Sequence, residues 1–269
     1  MKSRFLILVP IILLAIFLIP LTLLRNEVRS KLPADQPAPG SPVEAMAVAK
    51  ETRQQDGSPG YTFAEASPDG IGKIFMGREI SQVMGHPGIG WLERSEREKE
   101  EAPSNAIALL DLSPETVIAD IGAGSGYYSF RIAPKVPLGK VIAVDIQQEM
   151  LTHLSAGAAR LALPNVEPHL GAVDSIKLPP GTLDAALLVD SYHEFSHPAE
   201  MLASLHTALK SGGTVYLLEY RAEDPAVPIK HLHKMTEAQA RKEFQALGFE
   251  FVENIDSLPW QHLLVFRKP

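Results

Sequence analysis

From about residue 105 to the C-terminus, short apolar runs rich in β-branched residues alternate with stretches in which apolar residues recur every three or four positions. The first pattern is typical of buried strands and the second of amphipathic helices. The runs predicted as strands cover residues 116–121, 140–145, 166–170, 183–189, 214–220, 249–255 and 262–266. Because strands and helices alternate, the pattern predicts an α/β domain with a doubly wound, mostly parallel sheet that is covered on both faces.

Helix signals fill the intervals between these strands. Apolar residues keep a three-four spacing over residues 151–161, 202–209 and 240–247, and a shorter helix is predicted over 105–110. Thr236 followed by Gln239 has the form of a capping box. In a sheet of this kind, ligands bind at the carboxyl ends of the strands, near the point where the strand order reverses.

A long apolar run over residues 5–24, flanked by basic residues, distinguishes the N-terminus. Roughly 20 helical residues extend about 30 Å, the thickness of a bilayer core. The run predicts a transmembrane anchor with its flanks at residues 1–31, and the alternative is a signal peptide that is cleaved on export. Residues 32–70 are rich in proline, glycine, alanine, glutamine and serine, which predicts a flexible linker.

Residues 71–104 have a mixed character and are predicted to form a cap that precedes the core domain at residues 105–269. His86 and Trp91 are interpreted as packing residues of this cap, or as groups that close over a ligand site. The charged run over residues 95–101 is expected to be a solvated helix face.

Charge and composition narrow the classes of function. The 269 residues carry a formal net charge of −7, and no long basic run lies outside the flanks of the N-terminal apolar segment. Nucleic acid is therefore disfavoured as the main partner, since phosphate binding needs clustered lysine and arginine. The chain has no cysteine, which excludes disulfides, thiolate metal sites and cysteine nucleophiles.

The strongest chemical signal lies between the first predicted core strand and the helix that follows it. Asp120 precedes glycines at positions 122, 124 and 126, and Asp145 ends the next strand. Glycine permits positive φ and a close approach of backbone to a ligand, while the first amides of a helix favour electron-rich groups. An acid at the end of the second strand typically accepts from ribose hydroxyls. These features predict a nucleotide-like ligand.

Four segments resemble, in order and spacing, the successive motifs of class I S-adenosylmethionine-dependent methyltransferases. They are D-I-G-A-G-S-G at 120–126, V-I-A-V-D at 141–145, L-D-A-A-L-L-V-D at 183–190 and L-K-S-G-G-T-V at 209–215. A dinucleotide fingerprint would instead have glycine where Tyr127 stands. The resemblance implies S-adenosylmethionine as cofactor and a Rossmann-like sheet of seven strands that ends in an antiparallel hairpin.

The resemblance also implies which residues hold the cofactor. Asp145 is expected to bind the ribose hydroxyls, and Asp120 to position the glycine turn or to bind the amino group. The family often has aspartate after the glycine of the third strand, but this chain has Ala172 there, so Asp174 is the substitute candidate for the adenine contact. The full expected set is Asp120, Gly122, Ala123, Gly124, Gly126, Asp145, Ile146, Asp174 and Asp190.

The candidate acceptor side follows the fourth predicted strand, where the chain reads D-S-Y-H-E-F-S-H at 190–197. An activated sulfonium needs mainly a well-positioned nucleophile, and a base is needed only if that nucleophile must lose a proton. His193 is the candidate general base or substrate contact, with Tyr192 and Glu194 as its neighbours. The alternative is a structural histidine. Further candidates for the acceptor site are Glu219, Tyr220, His231 and His233.

The same octet contains H-E-x-x-H at 193–197, the signature of zinc hydrolases. That chemistry needs both histidines on one face of a continuing helix. Pro198 is instead expected at the first position of the next helix, which places the motif in the preceding loop. A zinc hydrolase is therefore disfavoured, and no metal ligand is assigned.

Together these features predict a membrane-tethered methyltransferase that acts on a small-molecule or lipid-like acceptor. Since S-adenosylmethionine is kept inside cells, the catalytic domain is expected on the cytoplasmic side of the membrane. Two other functions stay open: an NAD-dependent oxidoreductase on the same core, and a non-catalytic domain that binds S-adenosylmethionine as a sensor or scaffold.

Overall fold

The computed structural model describes residues 60–269. Its strands are β1 Tyr61–Phe63, β2 Gly70–Phe75, β3 Arg78–Ser81, β4 Val117–Ile121, β5 Lys140–Asp145, β6 Val166–Leu170, β7 Leu183–Val189, β8 Leu209–Tyr220, β9 Glu250–Ile255 and β10 Gln261–Arg267. Its helices are α1 Ile89–Leu92, α2 Arg97–Glu100, α3 Pro103–Ala108, α4 Tyr127–Ile132, α5 Gln148–Arg160, α6 Pro198–Ala208 and α7 Glu237–Ala246.

The main sheet has seven strands in the order β6-β5-β4-β7-β8-β10-β9. The pairs from β6 to β8 are parallel, whereas β10 runs antiparallel to both β8 and β9. The predicted α/β class and the antiparallel C-terminal hairpin are confirmed. β8 begins at Leu209 rather than at 214, because Leu209 pairs with Leu183 ahead of a register shift.

Helices cover both faces of this sheet, so the central strands β4, β5 and β7 are buried along most of their length. Side chains alternate between the two faces along a strand. Ile118 lies in a buried apolar cluster with Leu154 of α5. Its neighbour Ala119 lies in a second cluster with Leu202 of α6 and Phe244 of α7. The doubly wound arrangement predicted from the alternation of patterns is therefore correct.

The predicted anchor at residues 1–31 lies outside the described residues, as does most of the predicted linker. Among residues 60–269, no helix is both long and apolar enough to cross a bilayer. The last part of the predicted linker is described, and it is folded rather than flexible. Tyr61–Phe63 pairs with β2, and the Tyr61 hydroxyl accepts a hydrogen bond from the Ala199 amide at 3.1 Å. The prediction that the linker extends to residue 70 is wrong, because Tyr61 gains tertiary partners.

The charged run at residues 95–101 is solvated only in part, since Ser95, Glu96, Glu98 and Lys99 are exposed but two of its charged residues are buried. Arg97 is 5% exposed and Glu101 is fully buried. Glu101 Oε2 accepts a hydrogen bond from Arg97 Nε at 2.6 Å. Its Oε1 accepts hydrogen bonds from Arg94 Nη2 at 2.5 Å and from the Tyr220 hydroxyl at 2.6 Å. We call Arg94, Arg97, Glu101 and Tyr220 the cap network, because it joins the segment before the core to the end of β8. The prediction is wrong for Arg97 and Glu101, because these two charges are paired with each other inside the protein.

Candidate functional site

The glycine turn joins β4 to α4 at the centre of the sheet. Gly122 has a φ of +75°, and a Cβ atom there would lie 2.7 Å from Cβ of Ser191, so glycine is required. The amides of Gly122 and Ala123 both donate to the Val144 carbonyl, at 2.9 and 3.0 Å. The neighbouring strand β5 therefore holds the turn in place.

Asp145, at the end of β5, braces this turn with its carboxylate. Its Oδ2 accepts from the Gly124 amide at 2.9 Å, and its Oδ1 accepts from the Gln147 amide at 2.9 Å. Burial raises the pKa of Asp145, although both backbone hydrogen bonds oppose that shift. Each oxygen retains a second lone pair. Asp145 can therefore hold the turn and accept from ligand hydroxyls at the same time.

Asp120 supports the turn from inside the core. Its Oδ2 accepts a hydrogen bond from the Ser129 hydroxyl in α4 at 2.6 Å. Burial raises the pKa of Asp120 to about 6, in spite of the hydrogen bonds from Ser129 that lower it. Asp120 does not line the cavity described below. Of its two expected roles, this position supports the positioning of the turn.

The raised pKa of Asp120 makes stability depend on pH in a defined direction. Its folded-state pKa of about 6 lies above the ordinary value of 3.8, so the folded protein favours the protonated acid. That preference is fully present below pH 3.8 and is lost as the pH rises through 6. We expect the wild type to lose about 3 kcal/mol relative to Asp120→Asn across this window.

Urea unfolding of both proteins at a series of pH values measures this difference directly. Asp174→Asn, at an exposed aspartate, is the matched control and should show no comparable trend. A stability difference between wild type and Asp120→Asn that stays constant from pH 4 to 7 would contradict the assignment.

A cavity of about 500 Å³ opens at the carboxyl ends of β4, β5 and β7. Gly122, Asp145 and Asp190 line it from the core. Residues before the core close it from the other side, and these are Val83, Met84, Trp91, Leu92, Arg94 and Arg97. Most of the remaining wall is apolar. The cavity lies where ligands bind in doubly wound folds.

The cavity separates the expected site residues into two groups. Gly122, Asp145, Ile146, Asp190, His193 and Glu194 line it. Asp120, Ala123, Gly124, Gly126, Asp174 and Tyr192 do not. Asp174 is exposed, and Ala172 and Val173 form the wall in its place, so an adenine contact by Asp174 is not supported. Tyr192 is fully buried and donates to Glu243 Oε2 at 2.7 Å, which makes it a packing residue rather than a substrate contact.

The hydrogen bonding of Asp190 indicates whether the cavity fits a polar ligand, such as a nucleoside with an amino acid portion. Its Oδ2 accepts from Gln261 Nε2 at 2.6 Å, whereas its buried Oδ1 has no hydrogen-bond partner among residues 60–269. Burial and then the Glu101 carboxylate raise the pKa of Asp190 well above its ordinary value. A buried acceptor without a partner is costly. A donor of a bound ligand would satisfy it, so the residues present fit such a cofactor.

His193 is held rigidly by Glu219 of β8. Its Nδ1 lies 2.6 Å from Glu219 Oε2, and its amide donates to Glu219 Oε1 at 3.2 Å. Burial disfavours the charged ring, but the Glu219 carboxylate outweighs it and raises the pKa of His193. Nε2 is left on the side of Glu194 and His233. The side chain is thus oriented by one carboxylate and presents its other nitrogen to the cavity.

Glu194 and His233 complete a polar group beside His193. The Oε1 atom of Glu194 lies 3.9 Å from His193 Nε2 and 3.8 Å from His233 Nδ1. His197, the last residue of the H-E-x-x-H signature, does not line the cavity and has its Nδ1 2.9 Å from Ser196 Oγ. Residues Tyr192–Glu194 form a single 3-10 turn, and Pro198 begins α6 as predicted. The histidine that joins His193 is therefore His233, from a distant loop.

Sequence reasoning missed the contribution of Arg94 and Arg97 to the cavity wall. Both line the cavity together with Tyr220, which was a candidate for the acceptor site, whereas Arg97 was expected in solvent and no role was predicted for Arg94. The one available signal was the spacing of Arg97 and Glu101, four residues apart, which indicates an ion pair on a helix but says nothing of its burial. Trp91, considered beforehand as a group that closes over a ligand, does line the cavity.

Residues 118–213 match the family model described as a methyltransferase domain. This part of the chain is a methyltransferase domain. It contains the glycine turn, Asp145 and the loop after β7, and S-adenosylmethionine is the cofactor that the domain and the fold imply.

Curated relatives match over only part of their length. An uncharacterized methyltransferase of Mycobacterium tuberculosis is 31% identical over 123 residues, which is 46% of this chain and 47% of that protein. A tRNA U34 carboxymethyltransferase of Desulfotalea psychrophila is 33% identical over 101 residues, which is 38% of this chain and 31% of that protein. The chain thus matches between about a third and about a half of the length of these relatives.

Solved structures share the fold. A SAM-dependent methyltransferase from Aquifex aeolicus superposes with a TM-score of 0.66 at 21% identity, over 70% of this chain and 100% of that chain. An O-methyltransferase family 2 protein from Planctomyces limnophilus superposes with a TM-score of 0.52 at 19% identity, over 62% of this chain and 57% of that chain. At these identities the likeness establishes the architecture of the domain.

Proposed function

We propose that this protein transfers a methyl group from S-adenosylmethionine to a small, largely apolar acceptor that carries a hydroxyl or a similar nucleophilic group. The observation that carries the proposal is the continuity of one cavity. The same cavity is lined by Gly122 and Asp145 at the turn and by His193 and Glu194 after β7. Cofactor and acceptor can therefore meet in a space that the cap closes.

The chain's own residues position the reactants and exclude water. Asp145 and the backbone at Gly122 hold the nucleoside, while Val83, Trp91 and Leu92 supply apolar wall. Bound here, S-adenosylmethionine would supply an activated methyl group with the sulfonium sulfur as leaving group, and the acceptor atom would lose a proton. The polar group at His193 orients the acceptor atom and offers a base for that proton. Proximity in a dry site supplies most of the acceleration.

The size and charge of the site favour a small acceptor over a nucleic acid. The cavity measures about 500 Å³, within the range of small-molecule sites. Its arginines are already engaged, since Arg94 and Arg97 both pair with Glu101. The protein also carries a formal net charge of −7. A similarity to a protein named for tRNA, over 38% of this chain, does not outweigh these features.

The predicted anchor extends the proposal to membrane-associated acceptors. A site tethered beside a bilayer meets lipid-soluble compounds at high local concentration, and the apolar wall suits them. In this proposal the domain faces the cytoplasm, where S-adenosylmethionine is available. Protease added to intact cells should therefore leave the domain uncut.

Calorimetry with purified protein tests the proposed function. We expect S-adenosylmethionine and S-adenosylhomocysteine to bind one per chain and NAD not to bind. Release of S-adenosylhomocysteine is then measured with a panel of small phenols, enols and thiols. Binding of NAD alone would favour an oxidoreductase. Tight binding of S-adenosylmethionine with no methyl transfer to any acceptor would favour a sensor or scaffold.

A further inference from the structure

Three side chains at the acceptor end of the cavity converge on one point. His193, Glu194 and His233 each offer one ligand atom, and these atoms all lie within 4.8 Å of one another. All three residues line the cavity. We propose that they form a binding site for a divalent transition metal ion, a site that the sequence did not assign.

The distances suit a shared ion better than direct contact. His193 Nε2 and His233 Nδ1 lie 3.9 and 3.8 Å from Glu194 Oε1. Hydrogen bonds between such atoms are shorter, at about 2.7 to 3.2 Å. Two ligand atoms on one metal ion, each about 2.1 Å from it, stand roughly 3 to 4 Å apart. Side-chain rotations that move the ligand atoms by about 1 Å or less would close the set around one ion.

The hydrogen-bond partners of His193 and Glu194 are arranged like the outer partners that orient the ligands in protein metal sites. Glu219 Oε2 binds His193 Nδ1 at 2.6 Å, which leaves Nε2 to face the cavity. A carboxylate behind a histidine ligand orients the ring and makes its other nitrogen a better donor. The Met84 amide donates to Glu194 Oε2 at 3.1 Å and so leaves Oε1 for the ion. Two of the three ligands are thus positioned in advance.

The donor set identifies the class of metal. Two imidazole nitrogens and one carboxylate oxygen suit Zn²⁺, Fe²⁺, Co²⁺ and related ions, whereas Mg²⁺ and Ca²⁺ prefer oxygen alone. Three protein ligands leave coordination positions open. Because all three residues line the cavity, those positions face the space where an acceptor would lie.

This site differs from the one that the H-E-x-x-H signature implies. His197 lies outside the cavity wall, and its Nδ1 contacts Ser196 Oγ at 2.9 Å. The third ligand comes from the loop after β8, about forty residues further along the chain. The signature therefore contributes its first two residues only.

The ion would act on the acceptor, and this part of the inference rests on the proposed function. A divalent ion that binds a hydroxyl oxygen lowers its pKa, so that the proton passes to water and the oxygen becomes nucleophilic. With the ion bound, the three side chains would serve as metal ligands rather than as proton acceptors. Acceptors with a hydroxyl group, such as phenols or enols, would then react faster than those that bind metal weakly.

Metal loading of the full chain tests the site. Protein stripped with a chelator is titrated with Co²⁺ and, separately, with Zn²⁺, and the bound metal is counted by mass spectrometry and followed by the visible absorption of Co²⁺. We expect one ion per chain. Glu194→Gln and His233→Ala should each weaken binding by more than tenfold, and Glu219→Gln by roughly 10 to 100-fold because it acts through His193.

His197→Ala and His231→Ala are the matched controls, since each histidine lies within four positions of a proposed ligand along the chain and neither lines the cavity. They should bind Co²⁺ as the wild type does. Failure of the wild type to hold one ion, or equal loss in the control variants, overturns the site. S-adenosylmethionine binding is measured on the same samples. If it persists without metal binding, only this inference fails; if metal binds but the cofactor does not, the proposed function fails instead.

Discussion

Asp145→Ala is expected to lower the affinity for S-adenosylmethionine by about 100-fold, because one carboxylate performs two tasks. It accepts from the Gly124 amide at 2.9 Å and from the Gln147 amide at 2.9 Å, so its loss loosens the glycine turn. The substitution also removes a hydrogen-bond acceptor from the cavity wall. Hydrogen bonds to a charged group contribute about 1.5 to 3 kcal/mol each, and about 2.8 kcal/mol corresponds to 100-fold in affinity.

Calorimetric titration measures this effect, and Asp174→Ala provides the control. Asp174 is an aspartate of the same predicted set that the structure leaves exposed and outside the cavity. We expect its removal to change the affinity less than about twofold. Circular dichroism and thermal melting establish that both variants are folded. Equal affinities for the two variants would show that the cofactor is not held at the end of β5.

Glu101→Ala is expected to destabilise the protein by about 3 to 5 kcal/mol, the usual cost of breaking a buried ion pair by removal of one partner. Glu101 is fully buried and pairs with Arg94 and Arg97. Its loss leaves both guanidinium groups without that carboxylate and removes the acceptor of the Tyr220 hydroxyl. Chemical unfolding at pH 7 measures the change in the free energy of unfolding.

Glu98→Ala is the matched control for this experiment. Glu98 belongs to the same short helix α2 but is exposed. Surface substitutions of this kind usually change stability by less than about 0.5 kcal/mol. If Glu101→Ala is as mild as Glu98→Ala, the cap network does not hold the N-terminal segment on the core.

The element pattern of the core was readable because every strand carries its own local signal. Strands β5, β6 and β7 begin and end where the apolar runs predict. A strand that is covered on both faces is apolar along nearly its whole length, so a run of consecutive apolar residues predicts it. The N-terminal sheet of strands β1, β2 and β3 carried no such signal, since its fully buried large apolar side chains are limited to Phe75 and Ile80. The order of this sheet comes from partners elsewhere in the chain.

The cofactor side of the site was more predictable than the acceptor side for a related reason. The glycine turn, Asp120 and Asp145 lie in one local strand-turn-helix unit and at the end of the next strand, so their spacing along the chain reflects their geometry. The adenine contact was assigned by similarity alone, and there the structure places Ala172 and Val173 in the wall instead of Asp174. Local structure can be predicted from the sequence, whereas which of several neighbouring side chains lines the cavity depends on where a loop packs.

The sequence by itself determined the sheet, the glycine turn and the kind of cofactor, because each depends on residues a few positions apart. Tertiary structure decided the rest. It buried Glu101 between two arginines, and it placed His233 beside His193 and Glu194 although forty residues separate them. Contacts between distant segments depend on how helices and loops pack over the strand ends, and no spacing along the chain encodes that packing directly.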